Sequence, residues 1–179
     1  KTMRWRAAAS LATLALSAGP ALAAAPAAGD DWTTAAGTAQ GSRFSGLKEI
    51  TPANVANLTE EFAFSTGVKA SHEGAPLVVG DTMYLLTPFP NRLYALDLKH
   101  PGSVKWTYTP NVDGFAHGVA CCDTVNRGAA YAAGKIVFNT LDDTTVAIDA
   151  ITGKHLWRTK LAHPRTGQPL TMSPLIVRQ

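Results

Sequence analysis

The stretch "EGAPLVVGDTMYLL", residues 73–86, holds two short apolar runs broken by a Gly-Asp pair, and it returns as "RGAAYAAGKIVFNT" at 127–140. Short apolar runs punctuated by turn residues read as β-strands, and the return of the whole pattern makes those strands part of a repeat. The spacing holds further along. Gly74 to Gly128 and Gly80 to Gly134 are each 54 positions apart, Ala95 to Ala147 is 52 and Trp106 to Trp157 is 51, with "YALDLKHPGSVKW" (94–106) matching "VAIDAITGKHLW" (146–157). A third copy opens at "TMSPLIV", 171–177.

Within one unit, "PLVV", "TMYLL", "RLYALDL" and "VKWTYT" are separated by Gly-Asp, Pro-Phe-Pro-Asn and His-Pro-Gly, which predicts a four-stranded antiparallel meander. A period of about fifty with four strands per unit predicts an all-β chain, a partial β-propeller of about two to two and a half blades. A single sheet cannot bury both faces, so each blade must stack on its neighbours around an axis. Asp149 and the Thr152-Gly153 pair are predicted to turn the chain between two outer strands, while Trp106 and Trp157 wedge between sheets as core. Open edges on two blades and part of a third predict poor folding or aggregation of this piece by itself. The closing "MSPLIVRQ" stops inside an apolar run, so the chain reads as a fragment.

The start of the chain speaks to compartment. Lys1, Arg4 and Arg6 precede an uncharged Ala- and Leu-rich run that ends at an Ala21-Leu22-Ala23 site, the layout of a secretory signal peptide over residues 1–25. Gly19 and Pro20 interrupt the run, which disfavours a membrane anchor. Export predicts a periplasmic or extracellular protein in which disulfides persist. Three of the sixteen Lys and Arg lie in that leader and none of the thirteen acids, so the remainder is balanced and no basic excess argues for nucleic acid. Residues 26–72 read as an N-terminal segment of the propeller domain, irregular at first, with Trp32 and Phe44 as packing anchors; residues 73–179 carry the blades of a truncated domain.

Aligning the three copies places Glu73, Arg127 and Thr171 at one position, leading into the innermost strand at one mouth of the channel. An acid, a base and a hydroxyl converging on an axis suit a polar ligand bearing carbonyls and carboxylates; the bland alternative is a set of solvated loop residues at a wet mouth. Cys121 and Cys122, the only cysteines, lie five and six residues before Arg127. Consecutive Cα atoms about 3.8 Å apart are closer than the roughly 4.4–6.8 Å usual for a disulfide, so the pair can close only into a strained, rigid ring. Separate partners elsewhere, or free thiols, are the other readings. His72, beside Glu73, reads as a packing or hydrogen-bonding residue. The other histidines show no metal-ligand spacing, and no phosphate loop, serine elbow or Cys-x-x-Cys is present.

The segments "SHEGAPLVVGDTMYLLTPFPNRLYALDL", "VACCDTVNRGAAY" and "LTMSPLIV", in this order and spacing, closely resemble the pyrroloquinoline quinone (PQQ) dependent methanol and alcohol dehydrogenases, and "CCDTVNRG" with "HEGAP" is closest to the lanthanide-using methanol dehydrogenases. The resemblance implies an eight-bladed propeller with PQQ on its axis. It implies that Cys121 and Cys122 form a vicinal disulfide packed on one face of the quinone, and that Glu73, Arg127 and Thr171 bind the cofactor's carboxylates and ring substituents. The activity implied is oxidation of a small primary alcohol to an aldehyde at a quinone polarised by Ca²⁺ or a lanthanide ion, with electrons passing to a periplasmic cytochrome c. The family's metal ligands, general base and second stacking residue are expected beyond Gln179, so no catalytic or metal-binding residue is assigned here and the piece should be inactive. Phe62 stands where the family often has Trp, a packing change. The sequence leaves room for a homodimer. Two other functions compete: a non-catalytic propeller acting as an envelope assembly scaffold, and a thiol-disulfide sensor, which Asp123 beside the cysteines disfavours.

Overall fold

Alternation of apolar and polar residues sets the architecture, because each strand can offer only every second side chain to one face. A computed structural model describes residues 31–120 and 123–177. The leader read at 1–25 and the pair Cys121 and Cys122 lie outside the described residues. Strands β1 (Leu77–Val79), β2 (Thr82–Leu86), β3 (Leu93–Asp97) and β4 (Ser103–Tyr108) form one antiparallel sheet in chain order; β5 (Ala129–Ala132), β6 (Lys135–Thr140), β7 (Thr144–Asp149) and β8 (His155–Lys160) form a second. These are the expected meanders. The repeat extends to a detail that spacing alone did not reveal: the register of the third and fourth strands slips between Ala95 and Leu96 in one sheet and between Ala147 and Ile148 in the other. A bulge at that position lets the adjoining Trp106 and Trp157 sit opposite Ala95 and Ala147.

The two sheets pack face to face. Leu77, Tyr84, Leu86, Leu93 and Ala95 of the first meet Ala129, Ile136, Phe138, Val146 and Ile148 of the second, with Trp106 and Tyr108 closing the outer side. Trp106 wedges as expected: its indole N–H donates to the Ala150 carbonyl at 3.2 Å, which also accepts from the Tyr84 hydroxyl at 3.0 Å. The Asp149 turn is also as expected. Its carboxylate accepts from the Thr152 N–H and hydroxyl, each at 2.8 Å, and from the Ile151 N–H at 3.1 Å, contacts that hold its pKa below the usual carboxylate range. Ahead of the sheets, the N-terminal segment crosses both, pairing Trp32 with Val78 and Thr34 with Ala130.

Three expectations are corrected. Trp157 is 42% exposed, because no sheet among the described residues covers the face it occupies on β8. Phe44 is 76% exposed in a surface run from 38 to 60 that packs on neither sheet, so it anchors nothing here. Residues 171–177 form no strand, since a strand needs a ladder partner; they are held by point contacts to the second sheet. Among the described residues no helix is long and apolar enough to cross a membrane.

Up-and-down connectivity gathers the chemistry at one end. The residues leading into β1 and β5, the 87–92 loop, residues 109–120 with helix α1 (Phe115–Val119), residues 123–128, the 141–143 turn and the 161–171 segment all lie at the same end of the two sheets.

Candidate cofactor-binding site

The two innermost strands approach each other closely just past Glu73 and Arg127. Ala75 and Gly128 form a parallel bridge, and a Cβ on Gly128, whose φ is +113°, would stand 3.1 Å from the Ala75 carbonyl oxygen. Only glycine permits both that backbone angle and that proximity. The preceding residues are thereby delivered side by side.

Glu73, Arg127 and Thr171, picked from the repeat, do come together. The Arg127 Nη1 donates to Thr171 Oγ1 at 2.7 Å, its Nη2 lies 3.5 Å from Glu73 Oε2, and its backbone N–H donates to the Thr171 carbonyl at 3.0 Å. The Glu73 and Arg127 side chains are each 45% exposed, so their pairing adds little to stability and both remain open to a ligand. A planar guanidinium fork flanked by an acceptor and a hydroxyl suits the edge of a flat molecule carrying carboxylates and carbonyls. The donor set thus fits PQQ.

The residues that orient this trio were not assigned any role in the sequence. Asn126 is buried: its Oδ1 accepts from the Gly128 N–H at 2.9 Å and its Nδ2 donates to the Asn139 carbonyl at 2.8 Å, locking the backbone on either side of Arg127. Asn139 in turn donates to the Met172 carbonyl at 3.1 Å, and Ser173 Oγ donates to the Ala129 carbonyl at 3.1 Å, which brings Thr171 against the second sheet. An Asn two residues before a Gly was the available signal. His72 is hydrogen-bonded, as expected, through both ring nitrogens.

The flanks of the cysteine pair are braced. Helix α1 leads into it, and the Phe89 ring stacks on His117 at 5.5 Å with planes 6° apart. Beyond the pair, the Thr124 carbonyl accepts from the Phe89 N–H at 2.9 Å. Arg165 lies 4.0 Å over the Phe115 ring, tying the 161–171 segment to α1.

A second polar group occupies the same end, and Glu73, Arg127 and Thr171 are not among the residues that line it. A cavity of about 470 Å³ is lined by Asn111, Asp113, Asp142, Thr144, Arg158 and Lys160. Burial would push the Asp142 carboxyl up, but the Thr140 hydroxyl at 2.6 Å, the Asp113 N–H and the Lys160 ammonium outweigh it and hold it below its usual range. Asp143 goes the other way: burial, with the Asp142 charge adding to it, raises its pKa against the pull of Lys160, His163 and the Leu170 backbone N–H. Among the described residues no three His, Cys, Asp or Glu cluster as metal ligands would.

Residues 32–158 match a PQQ family described as glucose/ethanol/alcohol dehydrogenase, β-propeller domain. The lanthanide-dependent methanol dehydrogenase of Methylacidiphilum fumariolicum (strain SolV) is 50% identical over 138 residues, 76% of this chain and 23% of that protein. Methanol dehydrogenase (cytochrome c) subunit 1 of Paracoccus denitrificans is 40% identical over 154 residues, 83% of this chain and 24% of that protein. A solved europium-containing methanol dehydrogenase superposes with a TM-score of 0.80 at 46% identity, covering 83% of this chain and 26% of that one. The chain therefore spans about a quarter of the length of the relatives it matches. The stacked four-stranded sheets and a match running from the first bridged residue to the outer strand of the second sheet place this chain in the PQQ-dependent glucose/ethanol/alcohol dehydrogenase β-propeller family.

Proposed function

We propose that this chain supplies one wall of the PQQ pocket of a periplasmic alcohol dehydrogenase, with methanol or a similarly small primary alcohol as substrate and cytochrome c as electron acceptor. The observation that carries the reading is the meeting of Arg127 with Glu73 and Thr171, one residue from each of three repeat units, at the mouth the meander defines. When bound, PQQ with Ca²⁺ or a lanthanide ion supplies a metal-polarised ortho-quinone able to take two electrons from an alcohol. Arg127 would hold a carboxylate of the cofactor through its free donors. Thr171, kept in place by the Arg127 backbone, would orient a ring substituent, and Glu73 would fix the guanidinium and accept from the ring's edge. Cys121 and Cys122 are proposed as a stiff wall against the quinone face. Relatives that are lanthanide-dependent or europium-containing favour a lanthanide, and the Paracoccus relative's name supports cytochrome c. Export rests on the leader-like residues 1–25. The scaffold alternative is not favoured, since the relatives are dehydrogenases.

The test is cofactor titration of the full-length apoprotein. Arg127→Ala should weaken PQQ about 10- to 100-fold, the worth of one charge-assisted hydrogen bond, and Arg127→Lys should recover only part because it lacks the fork. Wild-type affinity and wild-type methanol oxidation in Arg127→Ala would refute the assignment.

A further inference from the structure

His72 stands next to Glu73 and takes no part in the Arg127 contacts, yet its Nδ1 lies 2.8 Å from the Ala70 carbonyl and its Nε2 lies 3.0 Å from Thr66 Oγ1. A carbonyl only accepts, so the proton of the neutral ring sits on Nδ1, and the Thr66 hydroxyl donates to Nε2. Thr66 Oγ1 is then left to accept from the Val68 N–H at 3.2 Å. Every donor in this small circuit meets an acceptor.

The circuit is fastened to the first sheet from its other side. The Thr66 carbonyl accepts from the Tyr94 hydroxyl at 2.9 Å, and that hydroxyl accepts from Arg92 Nη1 at 3.1 Å. Tyr94 is buried on β3, its ring meeting Phe64 edge-on at 5.0 Å. Residues 61–74, in contrast, contain no helix or strand. Glu73 thus leaves an irregular loop whose shape is set by side-chain bonds, and a carboxylate on a loop that must be ordered on binding loses affinity to that ordering.

We infer that His72 is a positioning residue for the cofactor: with Thr66 it pins the 66–72 turn to β3 and thereby sets where Glu73 meets Arg127. The inference rests on the PQQ reading of the site.

Binding of PQQ to the full-length apoprotein, followed by quinone absorbance and by the dissociation rate, tests it in wild type, His72→Ala, His72→Asn, Thr66→Val and the His72→Ala/Thr66→Val double variant. Asn carries an N–H where His carries Nδ1, so it keeps the Ala70 bond and loses only Thr66. His72→Ala should weaken PQQ about tenfold and His72→Asn and Thr66→Val about threefold, with circular dichroism unchanged. The double variant should be no weaker than His72→Ala, because both changes remove one shared bond. If His72→Ala fails to fold, His72→Asn and Thr66→Val carry the test. Tight binding by wild type with equal affinity in every folded variant would overturn the inference alone, as would strictly additive losses. A wild type that does not bind PQQ would overturn the cofactor reading and this inference with it.

Discussion

Trp106 and Trp157 occupy the same place in the repeat, each opposite a buried alanine beside a bulge, and they live in different surroundings. The indole of Trp106 lies on the Asp149–Gly153 turn of the second sheet and donates into it; that of Trp157 is 42% exposed. Their turn glycines diverge in the same way. A Cβ on Gly153 would stand 2.6 Å from Trp106 Cδ2, whereas one on Gly102, its counterpart 51 residues earlier, would meet nothing within 4 Å among the described residues. The repeat therefore encodes half of an interface in each unit: a Trp on the way out and a bare turn on the way in. Burial belongs to the junction between sheets and not to either sheet.

The severest way to break that junction is at Phe138, fully buried on β6 with the Tyr108 ring edge-on at 6.2 Å. Phe138→Ala should cost about 3–5 kcal/mol, read as a lowered denaturation midpoint, because a cavity between two sheets cannot collapse without moving both. Less than about 1 kcal/mol would mean the sheets are not packed on each other as described.

The glycine pair sharpens the comparison. Gly102 and Gly153 have φ of +84° and +70°, so alanine is strained at both. Gly102→Ala should cost about 1 kcal/mol from that strain alone, and Gly153→Ala about 2–3 kcal/mol, since its methyl must also displace the Trp106 ring. The difference measures the inter-sheet contact free of the backbone effect. Equal costs from thermal denaturation of the two variants would place Trp106 away from the turn.

These contrasts also mark where reading the sequence stops. The strands, the Asp149 turn and the three mouth residues were legible because a turn is dictated by its own few residues and a repeat brings equivalent positions to equivalent places. Phe44 and Trp157 were misjudged for one reason: a large aromatic signals a demand for cover without saying what supplies it, and nothing among the described residues covers these two. Asn126, Asn139 and the His72–Thr66 circuit stayed hidden because a side chain that orients a backbone leaves no periodic trace. The bulges at Ala95 and Ala147 were hidden likewise, as one skipped residue changes no pattern of apolar runs.

The gentlest test lies in the β2–β3 loop and its β6–β7 counterpart, where Asn91 and Asp143 share a left-handed backbone, φ 61° and 67°. Asn91 is buried and its Oδ1 accepts from the Leu141 N–H at 2.9 Å; Asp143 is equally buried, and among the described residues neither of its carboxylate oxygens meets full hydrogen-bond geometry, the Leu170 backbone N–H offsetting only part of the burial. Asp143→Asn should therefore stabilise the protein by about 1 kcal/mol at neutral pH, removing a charge that burial opposes while keeping a residue suited to that angle. The sign with pH follows from the raised pKa. The fold favours the protonated acid, so wild type loses stability as pH climbs from the unfolded carboxyl's value of about 3.9, and the advantage of Asp143→Asn opens over that rise. Asp142→Asn should behave oppositely, costing stability at neutral pH and converging on wild type as pH falls through the lowered pKa of Asp142, because there the carboxylate is the form that Thr140, Asp113 and Lys160 stabilise. Denaturation midpoints across a pH series decide it: an Asp143→Asn advantage that shrinks as pH rises would mean that this carboxylate finds a partner, and the two turns would differ in name only.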